Sequence, residues 1–159
     1  MRLGVKRDYV HTFLLESTVL VGQVLVYWLA ATYWGPRGFS EYALLRRTLS
    51  LLQPAVMLGQ AVALPRMLGW EASAPSPRRQ GYFVGALLLL ACTLPLAIGL
   101  LTAAPERSSE VIFGSPDQAA LIPGLALLLA GTCVHAVGYS YLRGRFRQRV
   151  ANWLQLLVL

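Results

Sequence analysis

Four apolar runs, at 12–34, 43–65, 81–103 and 119–142, fill most of the chain, and each is 23 or 24 residues long. A bilayer core requires about 20 apolar residues for a helical crossing. An open strand cannot satisfy its backbone in hydrocarbon, so each run reads as a helix. Composition agrees. Hydrophobic residues make up 56% of the chain and charged residues 13%, with a mean hydropathy of +0.55. Soluble domains carry roughly 25% charged residues, and a chain of this size must expose a large share of its surface. The solvent for that surface is therefore largely lipid. A soluble domain, a disordered tail, a disulfide-stapled secreted module and a collagen-like rod are all excluded. A fifth apolar run begins near Val150 and stops at Leu159, too short to span. The first run is too long for a cleavable signal peptide and carries Glu16 in its first turns.

Turn residues separate the runs: Gly35-Pro36-Arg37-Gly38, then Ala74-Pro75-Ser76-Pro77, then Gly114-Ser115-Pro116-Asp117. Tyr27, Trp28, Tyr33 and Trp34 gather toward the end of the first run, as interfacial aromatics do. The net charge is +7, from 14 basic and 7 acidic residues. Ten of the basic residues fall on one side of the expected spans: Arg2, Lys6, Arg7, Arg66, Arg78, Arg79, Arg143, Arg145, Arg147 and Arg149. The other side holds Arg37 and Arg107, with Glu106, Glu110 and Asp117 near the latter. The positive-inside rule then predicts a cytoplasmic N-terminus. The same distribution argues against nucleic acid as a partner, because the basic residues are spread a few per loop. The run from Arg143 to Arg149 reads first as a topology signal and second as a contact for anionic headgroups.

Two arginines remain, Arg46 and Arg47, early in the second run. Arg46, Ser50, Gln53, Met57 and Gln60 follow spacings of 4, 3, 4 and 3, which puts them on one helical stripe. Thr12, Glu16, Gln23 and Tyr27 repeat the pattern in the first run, and Thr132, His135 and Tyr139 in the fourth. Gly124, Gly131 and Gly138 recur at sevens, a small-residue face suited to close helix packing. Pro95 is expected to kink the third run. The polar residues admit two readings, hydrogen bonds between neighbouring helices or the lining of a cavity. For Arg46 and Arg47 a polar cavity competes with snorkelling to the interface. A cationic cavity would suit a diphosphate, since guanidinium binds phosphate oxygens bidentately. Glu16 is a possible charge partner. His135 reads as a structural hydrogen bonder or a proton relay, and Cys92 and Cys133 as small core residues. No catalytic residue, cofactor or metal site is indicated: no nucleophile sits with a base, and no metal-ligand spacing or Gly-rich phosphate loop is present.

Particular strings resemble a known family. The segment from Trp34-Gly35-Pro36-Arg37-Gly38 through Tyr42-Ala43-Leu44-Leu45-Arg46-Arg47 is similar to the first outer loop and second helix of bacterial polysaccharide (O-antigen) flippases. Ser50-Leu51-Leu52-Gln53-Pro54, Leu58-Gly59-Gln60-Ala61-Val62-Ala63-Leu64-Pro65-Arg66, Tyr141-Leu142-Arg143-Gly144 and Ala151-Asn152 continue the likeness. Those proteins belong to the multidrug, oligosaccharidyl-lipid and polysaccharide exporter superfamily. The resemblance implies an all-α integral membrane protein in which this chain forms four transmembrane helices and the start of a fifth. They would be part of one lobe of a two-lobed transporter of 12–14 helices. The implied activity is flipping of an undecaprenyl-diphosphate-linked oligosaccharide across the cytoplasmic membrane by alternating access, for lipopolysaccharide or exopolysaccharide synthesis. Implied partners are that lipid-linked oligosaccharide, membrane lipids, and polysaccharide polymerase and export machinery. Arg46 and Arg47 match the family's arginine pair; with Glu16, Gln23, Ser50 and Gln53 they are the expected substrate-binding, cavity-lining residues. Two other functions fit less well: a multidrug or cation antiporter of the same superfamily, and a small four-helix membrane scaffold or assembly protein. The flippase reading expects further apolar runs encoded beyond Leu159, and the scaffold reading does not.

Overall fold

A computed structural model describes residues 2–70 and 77–156. The second expected loop at Ala74-Pro75-Ser76 and the last three residues of the fifth run lie outside the described residues. So do the side chains of Arg2, Lys6, Arg7, Thr12, Arg79 and Arg149. Every regular element among the described residues is helical, as the apolar runs predict. Among the described residues, three helices are long and apolar enough to cross a membrane: Phe13–Met57, Gln80–Ala103 and Pro116–Gly144.

The first of these, at 45 residues, is far longer than one crossing requires, and it is not straight. Within the helical stretch Arg2–Met57, Gly35 leaves helical geometry at φ 68°, ψ −168°, a region open essentially to glycine alone. It divides the stretch into two limbs, α1 (2–34) and α2 (36–57). The Tyr27 ring lies 5.0 Å from Tyr42 and 5.8 Å from Phe39. At about 1.5 Å per residue, an unbroken helix would hold positions 27 and 42 about 22 Å apart. The limbs therefore fold back on each other. Pro36 suits the first position of α2, where its missing N–H is not needed. Arg37 and Glu41 pair one turn apart at 2.9 Å. The loop expected at 35–42 is thus a fold at one residue, with helix resuming immediately.

A second break interrupts the helix expected over 43–65. Leu58 (φ 47°) and Gly59 (φ 77°) end α2 and start α3 (Gln60–Trp70). Burial of Leu64 and Leu68 accompanies the change of direction. The remaining elements are α4 (Pro77–Ala103), α5 (Pro105–Phe113), a 3₁₀ turn (Pro116–Leu121), α6 (Ile122–Gly144) and α7 (Gln148–Leu156).

The central element is α6. Ile122, Leu125, Leu129, Cys133 and Val137 are buried along it at helical spacing. Gln53 of α2 donates to the Thr132 carbonyl at 3.3 Å, and Ser140 donates to the Ala61 carbonyl at 3.3 Å. Consequently α2 and α3 run alongside α6 in the same direction. Helix α4 runs against it: Phe83 packs on Tyr141 with centroids 4.1 Å apart, while Ala97 and Leu101 line a cavity with Leu129. These contacts sort the arginines. Arg66, Arg78, Arg143 and Arg145 fall at one end of the bundle, Arg37 and Arg107 at the other.

The close approach expected along Gly124, Gly131 and Gly138 lies elsewhere. Gly124 and Gly131 face open space, and a Cβ on Gly138 would merely touch Leu154 at 3.6 Å. The tight contact is at Gly144, against Pro65 and Leu68.

Candidate functional site

Where α2 faces α1 and α6, a cleft of about 460 Å³ opens. Arg46, Arg47, Ser50 and Gln53 line it from α2, Tyr27 from α1, and Thr132 and His135 from α6. Four of the six residues expected to bind substrate are thereby brought together. Glu16 and Gln23 are not: neither lines this cleft, and Glu16 is exposed farther down α1. The stripe on α2 divides for the same reason that the helix breaks. Its upper residues face the cleft, whereas Met57 and Gln60 turn into the packing near Leu58–Gly59. Gln60 is only 6% exposed, and neither its amide oxygen nor its nitrogen finds a partner among the described residues.

The arginines lie just past the start of the apolar run at 43, little more than one turn beyond Glu41. Because helix resumes at Pro36, Arg46 lies ten residues into α2, about 15 Å along its axis. Arg46 is half-buried and Arg47 exposed. Among the described residues neither guanidinium makes an ion pair or a hydrogen bond, whereas Arg37 pairs with Glu41 at the far end of the bundle. No carboxylate among the described residues lines the cleft. A guanidinium within a span costs at least about 2.5 kcal/mol on insertion scales. That cost falls when the group faces water or an anion, and this cleft offers room for either.

The other polar groups are held by the scaffold. Ser50 donates to the Arg47 carbonyl at 2.6 Å, and Thr132 donates to the Leu128 carbonyl at 2.8 Å. His135 Nε2 lies 3.1 Å from the Leu154 carbonyl of α7. A carbonyl only accepts, so Nε2 carries the proton in this bond. His135 is therefore a structural tie between α6 and α7 as well as a wall of the cleft. Its ring stacks on Tyr139 at 6.0 Å, over which the Arg143 guanidinium lies at 5.5 Å. The stripes on the first and fourth runs marked Tyr27, Thr132 and His135 as polar. Only the packing of three helices shows that they share one cleft with the arginines.

Chemically, the cleft presents two unneutralised guanidinium groups flanked by amide, hydroxyl and imidazole. Guanidinium groups so placed match the geometry of an anion with several oxygens. The chain matches no family model, no curated protein and no solved structure. The flippase resemblance thus stands on the sequence strings themselves.

Proposed function

We propose that this chain is the helical, membrane-spanning part of a flippase for a lipid-linked oligosaccharide, the undecaprenyl-diphosphate-linked type in bacteria. The observation that carries the reading is the pair Arg46 and Arg47, unpaired among the described residues and facing a cleft at the start of the apolar part of α2. In this reading α1 and α2 each cross the membrane, so that with α4 and α6 the chain makes four passes. The N-terminus and the Arg66–Arg143 end are cytoplasmic. The four passes belong to one lobe of a two-lobed transporter, and the diphosphate sits between the two guanidinium groups while the lobes alternate.

A cation antiporter of the same superfamily would need acidic residues where the cargo binds. The cleft has none, and Glu16 lies outside it. The test is export. Replacing both arginines, Arg46→Gln with Arg47→Gln, in the full-length protein should abolish polysaccharide export while the protein accumulates at the normal level. Two charge-assisted contacts of about 1.5–3 kcal/mol each would be lost. Unchanged export at equal protein level would sink the cargo-binding role.

A further inference from the structure

At the Arg37–Arg107 end of the bundle, two cavities meet. One is an apolar slot of about 410 Å³, within the roughly 300–1,000 Å³ of ligand sites. Leu52, Val56, Ala97, Leu101, Val111 and Leu129 form its walls, so it reaches from the end of α4 to the last turns of α2. The other is a cup of about 490 Å³ lined by Glu106, Arg107 and Glu110. The two share Ala104 and Arg107. The combined shape is that of an amphiphile, with a hydrocarbon slot opening into a charged cup at the end of a span.

The charges in the cup specify the headgroup. Arg107 has no ion pair within 4.0 Å among the described residues, although Glu106 and Glu110 flank it in sequence. Glu106 and Glu110 are four residues apart on α5, where like charges repel in an isolated helix. One cation beside two carboxylates is a poor receptor for an anionic lipid. It complements a zwitterion carrying a phosphate and, a few bonds away, an ammonium with hydrogens to donate.

We propose that this slot and cup bind an ethanolamine phospholipid, one acyl chain lying in the slot. Arg107 contacts the phosphate and the two carboxylates accept from the ammonium group. The site is separate from the arginine cleft and does not depend on what that cleft carries. It requires only that α4 end at a membrane surface.

Native mass spectrometry of the full chain, released from nanodiscs of equimolar phosphatidylethanolamine and phosphatidylglycerol with matched acyl chains, tests the proposal. The retained lipid should be enriched in phosphatidylethanolamine by about fivefold, the ratio that follows from about 1 kcal/mol for an exposed ion pair. The double variant Glu106→Gln/Glu110→Gln should still retain lipid but lose the enrichment. Ala104→Trp, at an exposed position where the cavities join, should reduce retention of both lipids. No enrichment with the natural chain, or enrichment that survives the double variant, would overturn the assignment.

Discussion

At Gly144 the helices α3 and α6 come into contact without room for a methyl group. A Cβ there would stand 2.7 Å from Leu68 Cβ and 3.0 Å from Pro65 Cα. Rotation of Leu68 would move its Cδ1 but not its Cβ, and neither that Cβ nor the Pro65 backbone can yield without moving α3. Gly144→Ala should therefore cost about 1–3 kcal/mol, as overpacking does elsewhere. Gly131, on the same helix, has nothing within 4 Å. Gly131→Ala should be neutral or gain up to about 1 kcal/mol from a stiffer helix. Thermal unfolding of the two variants in detergent distinguishes them, with a lower midpoint for the first alone. The opposite order would place the close contact elsewhere. The pair also marks a limit of sequence reading. Glycines at sevens form a stripe, but only the neighbouring helix decides which of them is crowded. Similarly, Arg46, Ser50 and Gln53 were legible as one polar stripe because helical periodicity is local. That Tyr27 and His135 join them depends on contacts more than 15 residues away in sequence, and periodicity carries no such information.

The elements follow the apolar runs closely and the punctuation loosely. Lipid imposes helix on any long apolar run, because every N–H and C=O must be satisfied internally. The breaks answer to different forces. Gly35-Pro36-Arg37-Gly38 has the composition of a loop, yet only Gly35 departs from helix. Pro36 is well placed to start α2, and Phe39 and Tyr42 gain contacts with Tyr27 by remaining helical. At Leu58 the reverse occurs: a residue with no turn preference takes φ 47° while α3 buries Leu64 and Leu68. In the third connection the charged segment forms α5, with Pro105 at its first turn and Gly114 closing it through an N–H bond to the Glu110 carbonyl. The fold at Gly35 has a direct consequence. Cysteines placed at Tyr27 and Tyr42, in a chain lacking Cys92 and Cys133, should be joined by a short bismaleimide, which tolerates a wider spacing than a disulfide. Adding Gly35→Ala, which forces a side chain into a glycine-only conformation at about 1–3 kcal/mol, should slow that cross-link or lower the unfolding midpoint. If no cross-link forms in either background, the limbs do not fold back.

On the scale of the whole molecule, charge distinguishes the two ends and exposed aromatics mark them both. One end gathers Arg66, Arg78, Arg143 and Arg145, held in place by helix contacts: Gly144 packs on Pro65 and Leu68, Phe83 on Tyr141, and Arg145 donates to the Tyr141 hydroxyl at 2.9 Å. The other end has Arg37, neutralised by Glu41, and Arg107 beside Glu106 and Glu110. Exposed aromatics mark both levels. Trp28, Tyr33 and Trp34 lie near the Gly35 fold, and Trp70, Tyr82 and Trp153 toward the opposite end. Such a molecule has one favoured orientation, because moving the arginine-rich end across the membrane would carry several charges through hydrocarbon. Single cysteines at Arg37 and at Arg145, again without Cys92 and Cys133, make the orientation measurable. In intact cells a membrane-impermeant maleimide should label Arg37→Cys at once and Arg145→Cys only after the membrane is opened. Both substitutions are at exposed positions and leave the cleft arginines in place, so the two accessibilities report sidedness rather than folding. Labelling in the reverse order would turn the bundle over, placing the tail slot in the cytoplasmic leaflet and the cleft closer to the cytoplasmic face.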